Sequence, residues 1–298
     1  MTYMYYQLFL LTLFIDMALC LSTTGQVVLV TGANKGIGKE ICRLLAKAPS
    51  NSATILACRS LERGQEAIQE LQADGCENLY CIECDLSKPD AALKVHDYIK
   101  SNFGRVDVLV NNAAICFNDP TLYGAVDYTP FEQQASITIQ TNFFGTWRLT
   151  EALLPLLQKS ESPRLINIAS YAGRLAILKS DKLVEKFTSS ELTMPQLESL
   201  ANNFVTEVEG GTHAKEGWPN TCYGMSKLAI ISMTRVLARE FPMIQCNTVD
   251  PGYCATDQNK NQGNRPAARG AVTPYLLATQ HQETYTGMHW FDEKVSEW

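Results

Sequence analysis

From residue 26 onward, short apolar runs alternate with longer helical patterns, and this alternation constrains the fold more than any other feature of the chain. Runs rich in Val, Ile, Leu and Cys predict strands, whereas apolar residues recurring every three or four positions predict helices. The strand-like runs are 26–30, 53–58, 79–84, 106–110, 164–168, 244–249 and the less apolar 287–291. Nearly continuous apolar strands are typical of sheets covered on both faces. We therefore expect an α/β fold, doubly wound, with a mostly parallel seven-stranded sheet and helices on both faces.

The helical patterns cover 37–47, 61–73, 91–103, 131–159 and 223–241. Between them, residues 171–222 are polar and helix-prone, have no strand pattern, and carry an irregular apolar stripe at Phe187, Leu192, Leu197, Leu200 and Phe204. This stripe predicts that the segment docks on the main body. We interpret 26–298 as a single domain with a helical insertion at 171–222, because 298 residues are too few for two full domains of roughly 150 residues plus the extension.

Residues 1–25 form an apolar extension whose role the sequence leaves open. Residues 5–21 are strongly apolar, but no Lys or Arg precedes residue 35, Asp16 interrupts the run, and the 14 residues from Leu8 to Leu21 are fewer than the roughly 20 that span a bilayer. Three interpretations compete: a weak signal or membrane anchor, an apolar tail lying on the domain, or an extended gene model whose natural start is Met17. The third is favoured, so we expect a cytoplasmic protein, with the secretory pathway or membrane association through 5–21 as the alternative.

Composition and charge exclude several classes of protein. With 46% apolar and 19% charged residues, the chain is neither disordered, collagen-like nor a coiled coil. A net charge of -6 without a basic run argues against a nucleic-acid partner. The ten cysteines mostly lie in apolar runs and are expected to be reduced thiols. Cys81 and Cys84 resemble half a zinc site, but no second pair stands at ligand spacing, so we expect no metal.

A glycine-rich turn follows the first strand and runs into a helix, as in a Rossmann-type nucleotide fold. Such a turn offers free N–H groups and the positive end of a helix dipole to a pyrophosphate. Its candidate cofactor-binding residues are Gly32, Asn34, Lys35, Gly36, Ile37 and Gly38. Where NAD-binding proteins carry an acidic residue after the second strand, this chain has Arg59, which predicts NADP(H) because a guanidinium pairs with a 2′-phosphate. Lys35 could approach the same phosphate; alternatively, both are solvated surface cations.

Tyr223 and Lys227 are four residues apart in a predicted helix and so share one of its faces. A cation beside a phenol stabilises its ionised form and brings its pKa toward the range of a useful proton donor. Taken alone, such a pair is common on solvated helices.

Taken together, the motifs resemble the short-chain dehydrogenase/reductase family over essentially all of 26–298. The matching stretches are 31–38, Cys84-Asp85-Leu86, Asn111-Asn112-Ala113-Ala114, Asn142-Phe143-Phe144-Gly145, residues 166–170, Tyr223-x3-Lys227 and Asp250-Pro251-Gly252. The 53 positions between Ser170 and Tyr223, together with residues 215–219 and a Trp-ended tail, resemble the NADPH-dependent carbonyl reductases. In that subgroup the insertion covers helices used for association, so the resemblance implies a monomer.

The resemblance also implies roles for individual residues. Tyr223 is similar to the proton donor, Lys227 to the residue that lowers its pKa and holds the nicotinamide ribose, Ser170 to the hydroxyl that polarises the substrate carbonyl, and Asn142 to the proton-relay residue. Further implied cofactor contacts are Asp85, Leu86, Asn112, Ala113, Pro251, Gly252, Cys254, Ala255 and Thr256. Implied substrate-side residues, besides Ser170, are Gln134 and Tyr253.

The chain departs from the family pattern at three places. Ala114 stands where Gly is usual, and Asp250 stands where related reductases carry a reactive Cys, so a glutathione subsite is not carried over. The stretch 118–128 is longer than its counterpart and is expected to reshape the pocket entrance. The resulting hypothesis is a reductase of ketones, aldehydes and quinones. The alternatives are an NADP-dependent alcohol or steroid dehydrogenase, or a non-catalytic NADP-binding module; the complete set of Ser170, Tyr223 and Lys227 argues against the last.

Overall fold

A computed structural model describes residues 25–48, 51–117, 128–279 and 285–298. Apart from Gly25, the predicted extension at 1–25 lies outside the described residues, as does the predicted entrance loop up to residue 127. The strands, in chain order, are β1 Gln26–Thr31, β2 Asn51–Cys58, β3 Leu79–Glu83, β4 Val108–Asn111, β5 Arg164–Ile168, β6 Gln245–Asp250, β7 Cys254–Ala255, β8 Arg265–Pro266, β9 His289–Phe291 and β10 Lys294–Ser296.

Eight of these strands form one sheet in the order β10-β9-β6-β5-β4-β1-β2-β3. Every neighbouring pair is parallel except β9 with β10. The chain runs outward from β1 to β3 and then returns to place β4 on the other side of β1, which confirms the doubly wound topology. The prediction of seven strands was one short, because the antiparallel edge strand β10 was missed. A second, two-stranded sheet of β7 and β8 was also not predicted.

The helices lie between the strands, as the periodicity predicted, although the two helices after β8 were not predicted. They are α1 Gly36–Ala46, α2 Leu61–Ala73, α3 Ala91–Asn102, α4 Phe131–Ile139, α5 Thr146–Leu157, α6 Asp181–Thr188, α7 Met194–Glu209, α8 Cys222–Glu240, α9 Ala267–Gly270 and α10 Val272–Thr279. The long helical stretch predicted over 131–159 is helical from 131 to 157, and a π-helical segment at Gln140–Gly145, which was not predicted, joins α4 to α5. The insertion ends one residue earlier than predicted, because Cys222 already belongs to α8.

The apolar side chains of the strands alternate between two cores, one on each face of the sheet. Val27 and Leu29 belong to the core that includes α3, α5 and α8, whereas Val28 and Val30 belong to the core that includes α1, α2 and α10. Because both faces of the sheet are covered, period-two alternation with polar residues is not required. The carboxyl ends of the parallel strands are left as the edge where loops can build a site.

The helical insertion docks through its apolar stripe, as predicted. The five stripe residues are all buried, and α7 packs against both α4 and α8. Trp218, which is 2% exposed, meets Phe187 and Phe204 edge-on at ring-centroid distances of 6.2 and 5.7 Å. A buried aromatic cluster of this kind contributes both apolar area and ring-edge contacts. The insertion is therefore an integral layer over α8.

In the described ranges, no helix is both long and apolar enough to cross a membrane.

Candidate active site

The glycine-rich turn connects β1 to α1 and has the geometry that an anion site requires. Gly32 has φ of +64°, and a Cβ atom there would lie 2.9 Å from the Cα of Ala113, so a side chain is excluded on two grounds. Lys35 occupies the N-cap position of α1 without a side-chain cap, and no acidic residue lies in the first turn. The N–H groups and positive dipole end of α1 are thus left for a negatively charged ligand.

Asn112 holds this turn in place from the end of β4. Its side-chain amide donates to the carbonyl oxygens of Thr31 and Gly32 at 2.9 and 3.2 Å. The backbone N–H groups of Asn112 and Ala113 both donate to the Thr31 hydroxyl, at 2.9 and 3.0 Å. The Asn112 side chain therefore binds the glycine-rich turn itself and positions it. The resemblance had implied only that this residue contacts the cofactor.

The predicted phosphate and adenine residues lie at the ends of β2 and β3. Arg59 directly follows β2 and is exposed. Lys35 forms an exposed ion pair with Asp257 at 2.9 Å, a pair that contributes little energy in water. Asp85 accepts from the backbone N–H and hydroxyl of Ser87 at 3.1 and 2.8 Å, and Leu86 is buried. Both predicted cations are thus exposed, and Lys35 is already paired with Asp257.

Ser170, Tyr223 and Lys227 meet where β5 and α8 adjoin. Ser170 follows β5 and its hydroxyl accepts from the backbone N–H of Ala172 at 3.2 Å. Lys227 is 4% exposed, its Nζ atom donates to the carbonyl of Ile168 at 2.6 Å, and the same atom lies 5.6 Å from the centre of the Tyr223 ring. The backbone end of β5 therefore fixes the ammonium group beside the phenol.

Asn142 lies within the π-helical segment and is 2% exposed. Its side chain accepts from the backbone N–H of Ile115 at 2.8 Å and donates to the carbonyl of Ile115 at 2.9 Å. It also donates to the hydroxyl of Ser226 at 3.1 Å. π-Helical segments are often found at functional sites. Here the wider turn places one amide between the chain after β4 and the helix that carries Tyr223 and Lys227.

The electrostatics of the pair differ from the expectation. Burial raises the pKa of Tyr223 well above its ordinary value, the nearby Cys116 adds to the increase, and hydrogen bonds with Gln258 and Ser170 oppose it. Burial likewise lowers the pKa of Lys227 to about 8, against the opposing effects of Cys116 and Asp250. The expected lowering of the Tyr223 pKa is therefore not found, because loss of hydration is the largest of the effects on this phenol.

The segment after β6 lies against the glycine-rich turn. A Cβ atom at Gly36 would lie 3.3 Å from Cγ2 of Thr256, so the two segments are in contact. Cys254 is buried and Tyr253 is 46% exposed. The predicted residues of this segment are Pro251, Gly252, Cys254, Ala255 and Thr256. The contact of Thr256 with Gly36 places this segment next to the glycine-rich turn.

The C-terminal hairpin anchors this segment. Arg265 pairs with Asp292 at 2.6 Å, and Arg269 pairs with Glu293 at 2.7 Å.

Gln134, a predicted substrate-side residue, donates instead to the carbonyl of Thr129 at 2.6 Å. Its amide therefore holds the start of α4.

Residues 26–180 match the sequence model of the short chain dehydrogenase family, which is more than half of the chain. The chain belongs to the short-chain dehydrogenase family. Its curated relatives include mouse carbonyl reductase (NADPH) 1, 38% identical over 93% of this chain and 100% of the relative. Short-chain dehydrogenase/reductase 1 of Saponaria officinalis is 36% identical over 90% of this chain and 94% of that protein.

Solved structures agree with this assignment. Salutaridine reductase from Papaver somniferum superimposes with a TM-score of 0.80 at 29% identity, covering 89% of this chain and 99% of that one. Menthone neomenthol reductase from Mentha piperita gives 0.77 at 30% identity, covering 91% and 100%. The predicted family and its closeness to the carbonyl reductases are confirmed, and the chain is an oxidoreductase.

Sequence reasoning missed three groups that face the reactive pair in this short-chain dehydrogenase. Gln258 binds Tyr223, and Cys116 and Asp250 act electrostatically on both Tyr223 and Lys227. Burial raises the pKa of Cys116 to about 11, with Lys227 opposing the increase. Only Asp250 carried a signal in the sequence, as the residue that departs from the family pattern; Cys116 lies in the chain after β4 and Gln258 in a short 3-10 helix, and neither belongs to a motif.

Proposed function

We propose that this enzyme reduces the carbonyl group of ketones, aldehydes and quinones with NADPH, and that Tyr223 is the proton donor. The observation that carries the proposal is the position of the buried Lys227 ammonium: it donates to the carbonyl of Ile168, two residues before Ser170, at 2.6 Å, and lies 5.6 Å from the centre of the Tyr223 ring. Two hydroxyl donors that converge on one oxygen stabilise the negative charge that develops there during reduction.

The residues present fit NADPH. The uncapped N-terminus of α1 lacks acidic residues and suits a pyrophosphate, and the exposed Arg59 stands where a 2′-phosphate is recognised. The cofactor predicted from Arg59 is also the one in the name of the mouse relative. When bound, NADPH supplies the hydride.

The protein's own side chains then bind and protonate the carbonyl oxygen of the substrate. The Ser170 hydroxyl donates a hydrogen bond to this oxygen and polarises the carbonyl, while Tyr223 transfers its proton to it. The raised pKa of Tyr223 keeps the phenol protonated at neutral pH, which is the form that reduction needs. Lys227, whose pKa is lowered to about 8, is still mostly an ammonium at neutral pH and stabilises the phenolate that remains. Asn142 holds the backbone at Ile115.

The test uses purified enzyme, NADPH and a panel of quinones and aromatic ketones, with turnover followed by loss of nicotinamide absorbance. Tyr223→Phe should lower kcat by about 100-fold or more, as for the loss of a general acid, and leave NADPH affinity within a few fold. The matched control is Tyr98→Phe, which removes a phenol hydroxyl from α3, outside the site. Wild-type turnover in Tyr223→Phe would remove the assigned donor.

A second variant tests the preference for NADPH over NADH. Arg59→Asp should weaken NADPH and shift the preference toward NADH, because a carboxylate repels a 2′-phosphate and accepts from a 2′-hydroxyl. Equal kcat/KM for the two cofactors in the wild-type enzyme would contradict the role of Arg59.

We also propose that the enzyme is a monomer. The support is the insertion, whose helix α7 packs on α4 and α8 and so covers helices that could otherwise associate. Light scattering across a concentration series should give a mass near 33.1 kDa, and a concentration-independent dimer would refute the proposal.

A further inference from the structure

The segment 251–256 leaves the end of β6 and reaches the glycine-rich turn, and Arg265 binds its first half. The backbone N–H of Arg265 donates to the Tyr253 carbonyl at 3.3 Å, and Arg265 is the partner of Cys254 where β8 pairs with β7. The side chain of Arg265 contacts the same segment, since a Cβ atom at Gly252 would lie 2.9 Å from its Cζ, Nε and Nη1 atoms. The guanidinium therefore lies directly on the backbone of Gly252.

The hairpin of β9 and β10 fixes this guanidinium in place. Its Nη1 and Nη2 atoms donate to the two carboxylate oxygens of Asp292, at 2.6 and 3.3 Å, and its Cζ atom lies 5.3 Å from the centre of the Phe291 ring. The Arg265 side chain is 23% exposed. A planar guanidinium that binds both oxygens of one carboxylate is held in a defined orientation. Arg265 thus joins the hairpin to Gly252 as a rigid group.

The backbone of the hairpin turn is an independent indication that this clamp has a role. Asp292 and Glu293 have φ of 47° and 62°, a left-handed conformation that is unfavourable for residues other than glycine. Both carboxylates bind arginines: Asp292 binds Arg265 and Arg269, and Glu293 binds Arg269. Backbone in such conformations persists where surrounding contacts fix it and is concentrated at functional sites. Here it places the Asp292 carboxylate against Arg265.

The contact on Gly252 is close to the reactive pair. The backbone N–H of Gly252 donates to Oδ1 of Asp250 at 2.9 Å, and Asp250 is 7% exposed at the end of β6. The Asp250 carboxylate acts to raise the pKa of both Tyr223 and Lys227. The guanidinium is therefore separated by one glycine from a carboxylate that acts on the reactive pair.

We propose that Arg265 is a positioning residue for hydride transfer and that, clamped by Asp292, it holds the segment 251–256 in place to cover the nicotinamide of NADPH. This role rests on the proposed function, because the cofactor contacts of the segment are implied by the resemblance. Arg265 acts through the backbone of Gly252 and not on the reacting atoms. The phosphates of the cofactor are assigned to the glycine-rich turn and Arg59, so loss of Arg265 should disturb the nicotinamide end and leave most of the affinity intact.

Arg265→Gln, compared with the wild-type enzyme on a quinone substrate, tests the proposal. Its kcat should fall by at least about tenfold, because small misplacements of reacting groups are costly, while the Kd of NADPH stays within a few fold. The fluorescence of bound NADPH is a measurement that does not depend on turnover: a nicotinamide that is no longer covered should lose most of its enhanced emission. Asp292→Asn should change kcat and emission in the same direction. The double variant should be no worse than Arg265→Gln, because the two side chains act as a unit.

Arg269→Gln is the matched control. It removes an arginine that binds both oxygens of Glu293 in the same hairpin, whereas the three atoms nearest to a Cβ at Gly252 all belong to Arg265. It should lower the unfolding temperature about as much as Arg265→Gln and leave kcat and NADPH emission unchanged. An equal loss of kcat in both variants, or wild-type kcat and emission in Arg265→Gln, overturns the proposal.

Arg265→Lys decides the matter if Arg265→Gln fails to fold. Lysine keeps the positive charge beside Asp292 but lacks the planar group that lies on Gly252. Its kcat and NADPH emission should therefore still fall, at an unchanged unfolding temperature, and wild-type values of both overturn the role of the guanidinium. A wild-type enzyme that binds NADPH but reduces none of the carbonyl compounds refutes the proposed reaction alone, and the emission of bound NADPH then tests the role of Arg265.

Discussion

Replacing Lys227 with Met should abolish activity and, at neutral pH, remove a large electrostatic cost. The pKa of Lys227 is lowered from 10.5 to about 8 by burial, which corresponds to about 3 kcal/mol at 1.36 kcal/mol per pH unit. Below pH 8 the folded enzyme holds a buried ammonium at this full cost. Between pH 8 and 10.5 the unfolded chain binds the proton and the folded chain does not, so this group makes wild-type stability rise with pH. Met at this position cannot titrate.

The assay is urea unfolding of the cofactor-free wild-type enzyme and of Lys227→Met at pH 7, 8, 9 and 10. The difference in unfolding free energy, variant minus wild type, should fall by about 2.5 kcal/mol across this range, because pH 10 is still below the unfolded pKa. The Ile168 carbonyl loses its hydrogen-bond partner in the variant. This loss changes the unfolding free energy of the variant by the same amount at every pH, so it does not alter the slope. Lys215→Met, at an exposed position, should run parallel to wild type. A constant difference for Lys227→Met would refute the reasoning.

Three further variants test packing and positioning. Gly64→Ala should destabilise the fold by about 1–3 kcal/mol, because its Cβ atom would lie 2.2 Å from Sγ of Cys81. In urea unfolding, the double variant with Cys81→Ala should recover most of this lost stability. If it recovers none, the contact with Cys81 is not the cause. Trp218→Ala should cost about 3–5 kcal/mol and speed proteolysis within 171–221, whereas unchanged cleavage would mean that the insertion docks without it. Asn112→Ala should weaken NADPH by about tenfold, or 1.4 kcal/mol, in a fluorescence titration, and an unchanged Kd would show that the turn keeps its shape unaided.

The main sheet could be predicted because its strands are buried on both faces and therefore read as apolar runs. The edge strand β10 could not be predicted, because its three residues are all exposed. Exposed positions do not need apolar side chains, so the sequence shows no apolar run there. Its turn gave no signal either: Asp292 and Glu293 have φ of 47° and 62°, values usually taken by Asn-Gly or Gly-Gly pairs. Their ion pairs with Arg265 and Arg269 hold this turn, and such long-range pairs are not visible in local sequence.

For the site, the sequence predicted residues whose chemistry is tied to a motif. Tyr223 and Lys227 follow from helical spacing, and Arg59 follows from its position after β2. The positions of Gln258 and Cys116 depend instead on how loops fold over the carboxyl edge of the sheet. The π-helical segment at Asn142 was missed for a related reason. The apolar periodicity continues through it, and the hydrogen bonds of Asn142 are made to Ile115, a residue 27 positions earlier in the chain.

The insertion links the chemistry of Lys227 to the fold. Of the 19 residues of α8, 15 are buried, so this helix is enclosed nearly all round and has only a weak amphipathic character. The sheet can cover only one of its faces, and α7 of the insertion packs on it from another side. A helix enclosed in this way cannot rotate to expose Lys227, so the ammonium must stay dehydrated beside Tyr223. On the side of the sheet, the Lys227 ammonium donates to the Ile168 carbonyl, and its burial there is the largest cause of its lowered pKa.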